Sequence, residues 1–362
     1  MRLTELLRRG WLSLVLVAVM VATPVSAPVM GAQAQTNPRY AAIVVDAETG
    51  EVLFARYADN RRYPASLTKI MTLYLTFEAL EAGRVRLDDM LTVSPRAATQ
   101  EPSKLGLGAG DRISLEDAMK ATAVISANDM AVSVAEHVAG SEARMAAQMT
   151  LKARELGMTQ TRFVNVNGMP DARQLSSARD VAILARAVMR DYPQYYRFFG
   201  LHDFEFRGST RRNTNALLRG GGGYDGMKTG TTNASGSNLV VSAVRDGKRI
   251  ITVVLGGQRS ASRNAHVAAL TDTGFEVVRL RRQGERIQVA QTFFEQRGFG
   301  NTPDDTLPPG SAPVQYAQLN DDDEEASITA ILNAGASSAP PAAAPPARTP
   351  ARTPPRAAPA PA

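Results

Sequence analysis

Tyr63-Pro64-Ala65-Ser66-Leu67-Thr68-Lys69-Ile70-Met71-Thr72 places a serine three residues ahead of a lysine, at the head of an apolar run that continues through Leu73, Tyr74, Leu75, Phe77 and Leu80. Pro64 before the run and Gly83 behind it are the punctuation of a helix. Residues i and i+3 of a helix share one face, so the spacing sets the Lys69 amine beneath the Ser66 hydroxyl. A serine hydroxyl is a poor nucleophile until a base takes its proton. A lysine amine can be that base where burial and neighbouring cations keep it neutral. The start of the helix also offers unpaired backbone N–H groups that suit an oxyanion.

Two further elements stand in order behind Ser66 and Lys69. Ser126-Ala127-Asn128 follows the expected end of a helix at Ile125, and Lys228-Thr229-Gly230 directly precedes a strand hairpin. S-x-x-K alone recurs by chance. The three together, each in its expected structural setting, resemble the signature of class A β-lactamases and penicillin-binding proteins.

The rest of the folded region reads as strands at both ends with helices between. Ala41–Val45 and Val52–Ala55 flank a turn at Asp46–Gly50, and Asn238–Val244 and Arg249–Gly256 flank one at Arg245–Lys248. Ser114, Ser141 and Ser177 stand at helix starts, and Gly140 and Gly157 at helix ends. The pattern predicts an α+β fold: an antiparallel sheet with flanking helices, a mostly helical lobe, and an active site in the groove between them.

The ends of the 362-residue chain carry a different composition. Arg2, Arg8 and Arg9 precede an uncharged run from Trp11 to Thr23, and Ala32-Gln33-Ala34 fits a cleavage site, so residues 1–34 read as a secretory signal peptide. This predicts a periplasmic or secreted protein. From Asn301 onward 13 of the 21 prolines fall within 62 residues, beside Asp321-Asp322-Asp323-Glu324-Glu325. Such a stretch buries too little apolar surface to offset its ordering entropy and reads as a disordered tail, with at most a brief helix over Ala326–Leu332. The expected organisation is thus a signal over 1–34, a catalytic domain over 35–276, a short extension over 277–300 and the tail over 301–362.

Charge and composition remove several function classes. The formal charge is +6 and there is no cysteine, so no disulfide framework or thiolate metal site is available. No basic cluster is interleaved with aromatics, which argues against nucleic acid as a partner. His137, His202 and His266 are scattered, so no metal or other cofactor is expected. Gly220–Gly223 lacks the lysine spacing of a phosphate loop and reads as a connection into the next strand.

Pro64–Thr72, Ser126–Asp129, Ser176–Asp180 and Asp225-Gly226-Met227-Lys228-Thr229-Gly230-Thr231 resemble the low-molecular-mass penicillin-binding proteins, and among them the serine-type D-alanyl-D-alanine carboxypeptidases. The resemblance covers about Asn37 to Phe275. It implies a β-lactamase/transpeptidase-like fold and removal of the terminal D-alanine from peptidoglycan stem pentapeptides. β-Lactam antibiotics would act as acylating inhibitors. Ser66, Lys69 and Ser126 would be catalytic; Asn128, Lys228, Thr229, Gly230, Thr231 and Arg263 would bind substrate. By the same resemblance the N–H groups of Ser66 and Thr231 form the oxyanion hole, and Gly230 lets its strand approach the substrate. The sequence departs from the family at Asn167, where histidine is common, and at Thr231. The region after Glu276 is too short for the β-rich domain of many relatives, and no amphipathic C-terminal helix marks a clear membrane anchor. A D,D-endopeptidase using the same residues, a β-lactamase and a catalytically inactive wall-binding module remain as alternatives.

Overall fold

The structure, a computed structural model, describes residues 37–300 and 321–334. The expected signal segment lies outside the described residues, as do 301–320 and 335–362. Strands β1 (Ala41–Asp46) and β2 (Val52–Arg56) form the first hairpin, its turn closed by the Asp46 carboxylate accepting the Glu48 and Thr49 N–H groups at 2.9 and 3.0 Å. A single 3-10 turn, Ala65–Thr68, leads into α1 (Lys69–Glu81). After it come β3 (Met90–Thr92), the short α2 (Pro95–Ala98) and β4 (Arg112–Ser114), with β3 and β4 paired as a small ribbon.

Helices α3 (Leu115–Val124), α4 (Asn128–Ala139), α5 (Glu142–Glu155) and α6 (Ala178–Asp191) follow. Ser114, Ser141 and Ser177 cap α3, α5 and α6, each hydroxyl accepting the N–H three residues on at 3.1, 3.2 and 3.1 Å. Next are α7 (Pro193–Gly200) and a second ribbon, β5 (Asp203–Phe206) with β6 (Ser209–Arg212). The chain then returns to the sheet as β7 (Tyr224–Thr232), β8 (Gly236–Arg245) and β9 (Lys248–Gly257), followed by α8 (Ser260–Arg282) and α9 (Ala290–Gln296).

The main sheet is antiparallel throughout, in the order β2-β1-β9-β8-β7, so the first hairpin joins the last through β1 and β9. Alternate side chains of β1 feed two cores. Ala41, Ile43 and Val45 face the helical lobe, while Ala42 and Val44 face the layer made by α8 and α9. Burial on both faces explains why β1, β8 and β9 read as nearly unbroken apolar runs rather than alternating ones. Helix α1 is the hub of the lobe, packed on by α3, α4, α5 and α6 and buried along almost its whole length. That burial holds the first residue of α1, Lys69, away from water. The expected α+β architecture is therefore present, and β7 forms an edge of the sheet facing the start of α1.

Two expectations about the C-terminal part change. The boundary at 276 falls inside α8, and 277–300 is part of the folded body. Phe294 is fully buried, its ring stacked 5.0 Å from Phe54 of β2, and the Gln291 side-chain oxygen accepts the Ala55 N–H at 2.9 Å. Helix α9 thus covers the exposed edge of β2, the usual remedy for an unpaired strand. Phe294→Ala should cost about 3–5 kcal/mol, read as a lower urea midpoint with an unchanged slope. The second change is α10 (Asp321–Ala334), a full helix inside the stretch expected to be disordered. It lies along α5 and buries Ile328, so an apolar strip too sparse to fold alone is ordered by a partner surface. No helix among the described residues is long and apolar enough to cross a membrane.

Candidate active site

Ser66 sits in the 3-10 turn, not in an α-helical first turn, and α1 begins at Lys69. The tighter turn serves the pair well, because i and i+3 eclipse in a 3-10 helix. Lys69 Nζ lies 3.0 Å from Ser66 Oγ. The turn is entered through Ala65 at φ 49, a left-handed conformation that strains a residue with a Cβ. Asn238 of β8 holds the approach: its amide donates to the carbonyls of Tyr63 and Pro64 at 2.9 and 3.1 Å.

Two glycines allow the neighbouring segments to close on this turn. A Cβ on Gly230 would lie 2.9 Å from the Ser66 nitrogen and 3.0 Å from the Pro64 oxygen. Its role is to let β7 approach the serine's own backbone, not only the substrate. Gly168, at φ +84, would place a Cβ 1.9 Å from the Ala65 oxygen, so the 168–172 loop also depends on a missing side chain.

Lys69 is completely buried and meets three oxygens. Besides Ser66 Oγ these are Asn128 Oδ1 at 2.7 Å and the Asn167 carbonyl at 2.6 Å. The carbonyl can only accept. The Asn128 oxygen is fixed as an acceptor because its amide nitrogen donates to Glu101 O at 2.8 Å. A neutral amine has two N–H donors and one lone pair, so these partners use both donors and leave the lone pair for the Ser66 hydroxyl. Burial, and next the charge of Lys228, hold the Lys69 amine well below its ordinary value; the Asp129 carboxylate opposes them. Asp129 is itself buried and accepts the Leu105, Gly106 and Met130 N–H groups at 3.0, 2.8 and 2.9 Å, which ties the 101–106 loop to α4.

Lys228 is buried on β7 and donates to the Thr229 carbonyl at 3.0 Å. Burial and then the Arg263 charge push it down to about 7. Arg263, on α8, is nearly fully buried and hydrogen-bonds the Asn238 carbonyl. Ser126 bridges α3 and α4 at φ 61, and its buried hydroxyl has no hydrogen-bond partner. Ser66, Ser126, Asn128, Thr229, Gly230, Thr231 and Arg263 line one groove of about 380 Å³; Lys228 and Lys69 stand behind its walls. The structure thus gathers every candidate residue at one place.

Three contributors were not foreseen from the sequence. Thr214 lines the groove and its hydroxyl accepts from Thr229 Oγ1 at 2.8 Å. Asn238 steadies the serine turn. Asn167 acts through its backbone, and its side chain keeps that carbonyl in place by donating to Gln100 Oε1 at 2.7 Å and accepting the Met169 N–H at 3.1 Å. None of the three carries a spacing signal, since each contact joins segments far apart or depends on a main-chain atom.

Comparison with known proteins identifies the family of the chain. The profile of the family described as D-alanyl-D-alanine carboxypeptidase matches residues 28–259. The chain is 38% identical over 278 residues to D-alanyl-D-alanine carboxypeptidase DacC of Escherichia coli, covering 75% of this chain and 69% of that protein. It is 35% identical over 239 residues to DacF of Bacillus subtilis, covering 65% and 61%. Among solved structures, penicillin binding protein 5 of Haemophilus influenzae superposes with a TM-score of 0.64 at 34% identity, over 67% of this chain and 72% of that one. The chain therefore spans only about two thirds of the length of these relatives. The family profile matches more than half of the chain, and the chain belongs to the D-alanyl-D-alanine carboxypeptidase family.

Proposed function

We propose that the protein is a serine D-alanyl-D-alanine carboxypeptidase that removes the terminal D-alanine from peptidoglycan stem pentapeptides and is acylated by penicillins. The observation that carries this is the hydrogen-bond set of Lys69, whose two obligate acceptors leave its lone pair to the serine 3.0 Å away. Ser66 Oγ attacks the carbonyl carbon of the penultimate D-alanine while its proton passes to Lys69 Nζ. The N–H groups of Ser66 and Thr231 receive the oxyanion. When the C–N bond breaks, the departing amine takes that proton through the Ser126 hydroxyl, a relay consistent with the absence of any internal partner for Ser126 Oγ. Water then hydrolyses the ester and frees the enzyme.

The substrate carboxylate is drawn to Lys228 and Arg263, with Thr229 and its partner Thr214 as hydroxyl donors. Asn128 orients both the peptide and Lys69. A bound carboxylate raises the Lys228 pKa from its low value and so keeps the ammonium charged where it is needed. Lys228→Ala should therefore lower substrate affinity and rate together, by on the order of 100-fold in kcat/KM, measured by D-alanine release. The enzyme works outside the cytoplasmic membrane, exported by residues 1–34. This reading is tested by the intact mass after benzylpenicillin treatment and by D-alanine release from a pentapeptide. A single adduct on the Ser66 peptide with free D-alanine supports it. Absence of the adduct overturns it, and cleavage of cross-linked dimers without D-alanine release makes the enzyme an endopeptidase.

A further inference from the structure

Both fixed acceptors of the Lys69 amine are held from one short segment, two successive residues just behind α2. Gln100 is buried, and its side chain spans two elements. Its Nε2 donates to the Arg96 carbonyl at 3.1 Å, and its Oε1 accepts from the Asn167 amide at 2.7 Å. Asn167 in turn presents its main-chain carbonyl to Lys69 Nζ. The next residue, Glu101, offers its carbonyl to the Asn128 amide at 2.8 Å, and Asn128 Oδ1 is the other acceptor of Lys69. We propose that Gln100 is a positioning residue for the acylation step: acting through Asn167, it fixes one acceptor of the Lys69 amine while the Glu101 backbone fixes the other, and the lone pair stays aimed at Ser66. The inference rests on the carboxypeptidase reading, which makes Lys69 the base.

The orientation of each amide is determined. The Arg96 carbonyl can only accept, so the Gln100 nitrogen faces it and the Gln100 oxygen faces Asn167. The Asn167 nitrogen is then the donor, and its own side-chain oxygen takes the Met169 N–H at 3.1 Å. Held on both sides, Asn167 keeps its carbonyl turned to the lysine. The segment itself has a firm base. Ser94, which caps α2, donates to Glu136 of α4 at 2.9 Å, and Arg96 pairs with Glu142 of α5 at 3.0 Å. The Gln100 N–H continues the turn by donating to the Ala97 carbonyl at 3.1 Å.

Every link from Gln100 to the lysine is neutral. The charged groups that act on Lys69 are Lys228 and Asp129, and the bonds of the Gln100 side chain touch neither. An amide at this place fixes geometry without adding a charge that would favour the ammonium. Gln100 and Asn167 are both buried, so breaking their bond leaves an amide N–H without its partner, and the loop must shift to find another. The Gln100 side chain is not part of the groove lining. Its influence on the reaction therefore passes through Lys69 and not through contact with the substrate.

The test is the rate of benzylpenicillin acylation, followed by intact mass against penicillin concentration and pH. Gln100→Leu keeps much of the volume and removes both side-chain bonds. Its saturating rate should fall about ten-fold or more, as a displaced reacting group requires, while the penicillin concentration giving half that rate does not change. Its rising limb should move to lower pH, because an ammonium that has lost an acceptor is less stable relative to the amine. Gln100→Glu keeps an acceptor for the Asn167 amide in either protonation state and should recover most of the lost rate. Asn167→Ala breaks the same bond from the other side and should be slowed likewise, and adding Gln100→Leu to it should slow it no further. The final adduct yield reads the folded fraction separately from the rate. Should Gln100→Leu fail to fold, Asn167→Ala alone must show the slowing. A leucine variant with the rate and pH limb of the unaltered protein overturns the assignment and leaves the carboxypeptidase reading standing, as does an Asn167→Ala variant that is not slowed, or a double variant slowed by the product of the two single effects. If the unaltered protein forms no adduct, the reading of the site fails first and the role of Gln100 falls with it.

Discussion

Ser66→Ala is expected to abolish the covalent penicillin adduct and to lower D-alanine release by on the order of 10⁴-fold or more, because no other hydroxyl can take its place. The fold should survive. Ser66 is partly exposed, and its hydroxyl makes one hydrogen bond, to Lys69, worth about 1 kcal/mol net. Intact mass spectrometry reads the adduct, and a urea titration run in parallel reads stability. An adduct that persists in the variant would assign the nucleophile elsewhere, and Ser126, a groove serine whose buried hydroxyl has no hydrogen-bond partner, would be the first residue to examine.

Lys69→Met should slow acylation by about 10³-fold or more, at the upper end of what one general base contributes. Methionine keeps much of the volume and removes the lone pair. Lys69→Arg should be equally inactive despite its charge, because a guanidinium does not give up its proton in a protein and cannot accept one from serine. The pair of variants separates two roles. If arginine rescued the rate, the residue at 69 would be acting as a cation toward the oxyanion, and the lone-pair account would be wrong. The check is the rate of benzylpenicillin acylation at fixed pH for both variants beside the unaltered protein.

The parts of this molecule that depend on local chemistry were legible in its sequence. Both hairpins of the main sheet carry their turn residues, and three serines announce the helix starts they cap. The S-x-x-K spacing placed the amine under the hydroxyl, although the turn proved to be 3-10. What escaped the sequence depends on distant segments meeting. The Asn167 carbonyl reaches Lys69 across 98 positions, and Asn238 reaches Pro64 across 174. Helix α9 looked like an extension because Phe293 and Phe294 mean little until the edge of β2 is there to be covered. Strand β6 is exposed at every residue and has no apolar alternation to betray it. Thr214 reaches the groove only through the loop that follows that ribbon.

The most direct test of the account is the pH dependence of the benzylpenicillin acylation rate. Only the neutral form of Lys69 accepts the serine proton, so the rate must rise with pH as that amine loses its own. Burial and the Lys228 charge lower the Lys69 pKa, which moves the rising limb down in pH. A limb with its midpoint well below 10.5, the ordinary lysine value, is the expected result. A limb centred at that value, or a rate indifferent to pH below it, would contradict a neutral lysine as the base.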